Sequence, residues 1–282
     1  MRLRVGPVDH DLTTRALVFG VLRPPRSSSA MAAAASDVPL DDILARADRL
    51  VAEGADLLAV GGMPDGAQVG EDEELEGLVP VVAALRARFD VPLSVDTWRS
   101  QVLGDCCAAG AAVAGDSSGF VDEAYLPTAV RVGATVVATH SRLPPGEADV
   151  VADVRRVLGE RVTRARAAGL ADDRIIVDPG LDLGKSPAQS LTLLRETAAL
   201  ADLGLPLLLD AADKRFLGMA LGLEPDERRL ASCAAAALGI ARGGRIVRAS
   251  DVRGARRVVD VLQAVLAARL VQVEQRPETQ DA

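Results

Sequence analysis

The sequence predicts an α/β fold, a single (β/α)8 TIM barrel, on three observations. Short apolar runs rich in Val, Leu and Ala alternate with longer helix-like stretches eight times along the 282 residues. Within those runs apolar residues are continuous, the pattern of strands buried on both faces of a parallel sheet. Aromatic residues make up only 2% of a chain that is 49% hydrophobic, which suits small-residue packing of helices on a sheet better than a β-sandwich. The alternative is a doubly wound open sheet, but no G-x-G-x-x-G follows the first apolar run.

The units follow in order. "ALVFGV" (16–21) is the first strand. A helix from about Leu40 to Glu53 follows a Pro/Ser/Ala-rich loop and stops at Gly54. "DLLAV" (56–60) runs into Gly61-Gly62, and a helix spans about 73–88. "PLSVD" (92–96) precedes a helix over about 99–109, stopped by Gly110. "AAVAG" (111–115) precedes a helix near 123–132, and "TVVAT" (135–139) precedes one near 149–168, stopped by Gly169. "RIIVD" (174–178) leads to a helix near 188–201, "PLLLD" (206–210) to one near 227–241, and "RIVRA" (245–249) to the last, about 254–270. Glycine stops and Asp or Ser starts punctuate these helices. Residues 1–272 therefore read as one barrel, and 273–282 as a polar, disordered tail.

Composition excludes several classes of function. The net charge is −8, and no long basic run is interleaved with aromatics, so nucleic acid is not an expected partner. No apolar run reaches the roughly 18 residues that span a bilayer, and the N-terminus lacks signal-peptide order. A soluble, cytoplasmic protein without a membrane partner is expected. Cys106, Cys107 and Cys233 have no metal-type spacing, and the only histidines are His10 and His140, so no protein-bound metal centre is expected.

Chemistry collects where the strands end. In a (β/α)8 barrel the active site lies at the C-terminal ends of the strands. Those ends carry Asp96, Asp116, His140, Asp178, Asp210 followed by Lys214, and Arg248. One charged end is ordinary loop polarity; this many around one mouth make a pocket with placed hydrogen bonders. Asp116, in "DSSG", also suits a turn. Separated carboxylates accept from the amino and ring N–H groups of a flat heterocycle, and a lysine donates to its carbonyl or ring nitrogen. A guanidinium can stack on the ring and bind a phosphate. Such a set fits a pterin or purine-like ligand better than a sugar or a fatty acid.

Four segments together, "SVDTWRSQV" (94–102), "VDPGLDLGK" (177–185), "DKRFLG" (213–218) and "IVRASDV" (246–252), resemble the dihydropteroate synthase family over nearly the whole chain. The resemblance implies a (β/α)8 barrel, a homodimer and a transferase that joins 6-hydroxymethyl-dihydropterin diphosphate to 4-aminobenzoate. It places Asp96, Asp178 and Lys214 on pterin-binding positions and Arg248 on the arginine that stacks on the pterin and helps bind the anion. Lys185 is expected to close its own loop. "DTWR" (96–99) and "LGLEPDERR" (221–229) resemble a divergent actinobacterial subgroup that accompanies a normal synthase.

The substrate loops depart from the family pattern. "RPPRSSSAMAA" (23–33) stands where active members carry a loop of the type NVTPDSFSDGG, so the Asn that helps hold magnesium and diphosphate is Arg23. Mg2+ is the cofactor only if catalysis survives. Arg23 and Arg26 are candidates for a rebuilt anion site, although Pro24 and Pro25 stiffen that loop. The second loop, "GGMPDGA" (61–67), lacks the Thr and Arg that flank the aminobenzoate site. The pterin-contacting Asn is Gly115, a Ser-Arg-Lys run is Ala212, Asp213 and Lys214, and the His of a terminal "RVHD" is Ser250. An Asp about 6 Å from a phosphate costs on the order of 3 kcal/mol at an effective dielectric near 20. That nearly cancels one Arg–phosphate contact, worth about 1.5–3 kcal/mol.

The leading expectation is a pterin-binding, synthase-like barrel with weak or lost condensation activity. The alternatives are an active synthase with a rebuilt anion site, a methyltetrahydrofolate-binding methyltransferase barrel, which would need a corrinoid partner, and a structural or regulatory barrel acting through its helices.

Overall fold

The structure, a computed structural model, describes residues 1–22, 39–61, 70–141, 143 and 149–267. It opens with an antiparallel hairpin, β1 (Arg2–Val5) and β2 (Val8–Asp11), turned at Gly6 and Pro7. Eight parallel strands follow: β3 (Leu17–Leu22), β4 (Leu57–Gly61), β5 (Leu93–Asp96), β6 (Ala111–Asp116), β7 (Thr135–Thr139), β8 (Ile175–Asp178), β9 (Leu208–Asp210) and β10 (Ile246–Ala249). They pair in the order β8-β7-β6-β5-β4-β3-β10-β9. A bridge between Val177 and Leu207, with the Val177 N–H donating to the Pro206 carbonyl at 2.9 Å, closes β8 onto β9 and makes the barrel.

Helices surround the sheet: α1 (Leu40–Ala52), α2 (Glu71–Arg88), α3 (Ser100–Ala108), α4 (Tyr125–Val132), α5 (Val150–Ala167), α6 (Pro187–Arg195), α7 (Thr197–Ala201), α8 (Arg215–Leu221), α9 (Arg229–Ala241) and α10 (Val252–Ala267). Their ends follow side-chain chemistry. The Asp149 carboxylate accepts from the Val151 and Ala152 N–H groups at the start of α5, and a Ser186–Gln189 capping box starts α6. The predicted 188–201 helix is two helices, because Glu196 leaves helical geometry (ψ 23). The helix over "RFLGMAL" was not read from the sequence; it is a short helix of about two turns closed by left-handed Gly222. The polar tail lies outside the described residues.

Strand periodicity sorts the interior into two cores. Side chains alternate between the faces of a strand. Val18, Leu58, Val95, Ala114, Val136, Ile175, Val177, Leu209 and Val247 point outward and pack under the helices. Phe19, Leu57, Val113, Val137, Ile176, Leu208 and Ile246 point inward and fill the barrel. Leu3, Val5 and Leu12 of the hairpin segment join that inner cluster from the N-terminal end, and the Thr135 hydroxyl donates to the Arg4 carbonyl. Burying each such aliphatic side chain is worth about 1.5–3 kcal/mol, so the hairpin is a seated plug. Among the described residues no helix is long and apolar enough to cross a membrane.

Candidate functional site

The inward phase that fills the barrel also builds its open mouth. Two residues beyond Val113, Val137, Ile176, Leu208 and Ile246 stand Gly115, Thr139, Asp178, Asp210 and Arg248. Asp96 stands in the same phase on β5, beside Gly115 in the sheet register. The mouth is thus the next layer of the barrel core, made polar.

These groups are paired with one another. The Arg248 guanidinium donates through both terminal nitrogens to Asp96, at 3.0 and 2.7 Å, and lies 3.9 Å from the Asp210 carboxylate. The Lys214 ammonium sits 2.9 Å from the same Asp210 carboxylate. Burial opposes the Arg248 charge, but Asp96 and Asp210 outweigh it and raise its pKa. Asp178 accepts from the Gly180 N–H at 2.7 Å and from the Thr139 hydroxyl at 3.3 Å. Its burial, opposed by Arg248 and reinforced by Asp210, raises its pKa. The four residues Asp96, Asp178, Lys214 and Arg248 therefore share one end of the barrel. Asp210, a strand end without an assigned role in the sequence, joins Lys214 to Arg248.

The loops behind the mouth are held from below. The Lys185 ammonium donates to the carbonyls of His140, Gly180 and Leu183 at 3.1, 2.9 and 3.0 Å. Gly180 has a positive φ of 63°, and a Cβ there would fall 1.8 Å from the His140 carbonyl oxygen, so only glycine fits. The Asp182 carboxylate accepts from the Arg215 N–H at 2.7 Å, tying this loop to the start of α8. In "DTWR", Arg99 donates to buried Glu74 of α2 and lies 4.6 Å over the Trp98 ring. That arginine fastens the loop after β5 to its neighbouring helix.

Two sequence candidates fall outside the mouth, for a reason of phase. Asp116 and His140 each lie one residue beyond an inward position, so they turn toward the helices. The Asp116 carboxylate is taken by the backbone N–H groups of Ser118 and Phe120 of its own turn. The His140 ring is fully buried, with Nε2 3.0 Å from Asp153 of α5. Ser250, one residue past β10, is part-buried. Arg23 and Arg26 lie outside the described residues.

His140 carries a pH signature. Burial and the nearby Lys185 charge push its pKa from 6.5 down to about 4, against the pull of Asp153. The unfolded chain takes up this proton below 6.5 while the folded chain does not until about 4, so the stability present above pH 6.5 falls as pH drops through that window. The loss amounts to about 3 kcal/mol. Urea midpoints between pH 7 and 4 should show a shallower fall for His140→Gln; parallel curves would refute the assignment.

The family model for pterin binding enzymes matches residues 27–250. The chain belongs to the pterin-binding enzyme family. It is 35% identical over 271 residues to the inactive dihydropteroate synthase 2 of Mycobacterium tuberculosis, covering 90% of this chain and 84% of that one. It is 32% identical to the dihydropteroate synthase of Escherichia coli, covering 82% and 85%. The dihydropteroate synthase of Yersinia pestis bound to a pterine–sulfa conjugate superposes with a TM-score of 0.85 at 32% identity, over 95% of this chain and all of the other. The chain is thus dihydropteroate synthase-like, and the relatives of the pterin-binding family that it matches include both active and inactive synthases.

Proposed function

We propose that this protein binds a reduced pterin at the mouth formed by Asp96, Asp178, Lys214 and Arg248, and that its condensation activity is weak or lost. The observation that carries the reading is the inward layer of three carboxyl groups and two cations directly above the apolar barrel core. Asp178 is the centre of recognition. Each of its oxygens receives one bond from the protein and keeps acceptor capacity for the amino and ring N–H groups of a pterin.

Against turnover stands the replacement of residues that a diphosphate-expelling site would need. Asp213 presents a carboxyl group beside Lys214, in left-handed backbone (φ 51). Ser250 is a short hydroxyl, and in the sequence Arg23 stands in place of the Asn that the family resemblance assigns to the metal. A guanidinium cannot hold Mg2+. Among the described residues no cluster of three His, Cys, Asp or Glu is placed to take a metal.

Titration of the purified protein with a reduced pterin, followed by fluorescence or calorimetry, tests the reading. Asp178→Ala removes two acceptor sites at once and should weaken binding by at least about tenfold, since hydrogen bonds to a charged partner are worth roughly 1.5–3 kcal/mol each. Equal affinity in wild type and variant would sink the pocket assignment.

We further infer a cytoplasmic homodimer without nucleic-acid or membrane partners. The apolar side chains of Met219, Leu221 and Leu230, the last 81% exposed, lie on α8 and α9, and Val261 and Val265 lie on α10. Large exposed apolar residues grouped on neighbouring helices suit a subunit interface. Light scattering that returns a monomer at micromolar concentration would rule the dimer out.

A further inference from the structure

We propose that Gly115 sets the ligand preference of this mouth: it leaves the space into which Asp96 leans, Asp96 thereby holds Arg248 closed, and the site selects an uncharged pterin alcohol over its diphosphate ester. The proposal rests on the pterin reading above and deepens it by assigning the charge of the ligand.

Gly115 is not a glycine required by its backbone. It lies inside β6, pairs regularly with Asp96 on one side and Val137 on the other, and has no positive φ. What excludes a side chain is its neighbour. A Cβ at this position would stand 2.0 Å from Asp96 Oδ1 and 3.1 Å from its Cγ. Any other residue at 115 therefore forces the Asp96 carboxylate to turn away. With glycine there, the carboxylate lies over β6 and takes both arms of the Arg248 fork at 3.0 and 2.7 Å, across 152 residues of sequence.

Closing that fork changes the electrostatics of the whole mouth. Arg248 is the cation best suited to a phosphate, because its planar donors match two oxygens at once. Here each terminal nitrogen gives one N–H to Asp96, so the fork faces a carboxylate already, while Nε has no partner and Asp210 lies 3.9 Å away. Lys214, the other cation, is held by Asp210 at 2.9 Å. Two cations thus face three carboxyl groups, and a diphosphate meets no net positive charge among these residues. The amino and ring N–H groups of an uncharged flat base need acceptors, and Asp178 supplies them without breaking either ion pair.

The test compares 6-hydroxymethyl-7,8-dihydropterin with its diphosphate ester, titrated separately into wild type, Gly115→Ala and Asp96→Asn. Wild type should bind the alcohol at least as tightly as the diphosphate. Gly115→Ala should turn Asp96 aside, release Arg248 and raise the diphosphate-to-alcohol affinity ratio by about tenfold or more. Asp96→Asn keeps the side-chain shape, weakens the fork and should move the ratio the same way, which covers the case where alanine disturbs β6. A wild type that prefers the diphosphate by tenfold, or a ratio unchanged in both variants, overturns this proposal and leaves the pterin pocket standing. If folded wild type binds neither compound, both readings fall together.

Discussion

Incubated with 6-hydroxymethyl-dihydropterin diphosphate, 4-aminobenzoate and magnesium, the protein is expected to form dihydropteroate several powers of ten more slowly than an intact synthase. The chemistry requires an anion to leave and an amine to be placed. Three parts that serve those ends are altered: the first loop at Arg23, the second loop over 61–67, and the end of β10 at Ser250. Each such part typically contributes about 2–4 kcal/mol of positioning or charge stabilisation. Parts that act as a unit do not add, but even half the sum lowers the rate by several powers of ten. The fork between Arg248 and Asp96 acts in the same direction, since the anion must displace a carboxylate to reach the guanidinium. Product measured by mass spectrometry decides the matter. Turnover within about tenfold of an ordinary synthase would overturn the expectation and point to Arg23 and Arg26 as the anion site, in which case Arg23→Ala should abolish it.

The second large effect is structural. Lys185→Met should lower the stability of the fold by about 2–4 kcal/mol, because it leaves the carbonyls of His140, Gly180 and Leu183 without their shared donor. Two terms compete. Burial disfavours the ammonium and pushes its pKa from 10.5 down to about 8, a cost of about 3 kcal/mol. Three hydrogen bonds from a charged donor, each worth roughly 1.5–3 kcal/mol, outweigh it. The group remains protonated at neutral pH. For a chain of this size the melting temperature should fall by about 5–15 °C. A change of less than about 1 °C in calorimetry would show that the loop closes without the lysine.

The barrel was legible because its strands are continuous apolar runs, four of them ended by Asp, and the mouth residues Asp96, Asp178 and Arg248 were legible because they sit at strand ends, with Lys214 four residues past the end of β9. Finer resolution was also present in the letters but needed the strand phase. Asp178 follows Ile176 by two and faces inward; His140 follows inward Thr139 by one and faces α5. Counting back in twos from each strand end would have set Asp116 and His140 aside. The hairpin escaped notice because "RLRV" offers only two apolar residues, too few for a strand signal without the barrel that buries them. The fork between Asp96 and Arg248 joins residues from opposite halves of the chain. No local pattern announces it, and the space that permits it depends on a glycine whose own backbone is ordinary.

The seated hairpin also bears on how the chain reaches its fold. Leu3, Val5 and Leu12 are synthesised before every strand they seal, yet their partners Leu208 and Ile246 emerge near the far end of the chain. Until β9 and β10 arrive, the plug has an unfinished ring to enter and its apolar face stays open to solvent. Contacts of such long sequence separation form late, after the entropy of a very long loop has been spent. Growth of the chain on the ribosome should therefore yield a half-barrel with a waiting stopper, exposed to misassociation, and the closing of the ring and the seating of its floor should occur as one event.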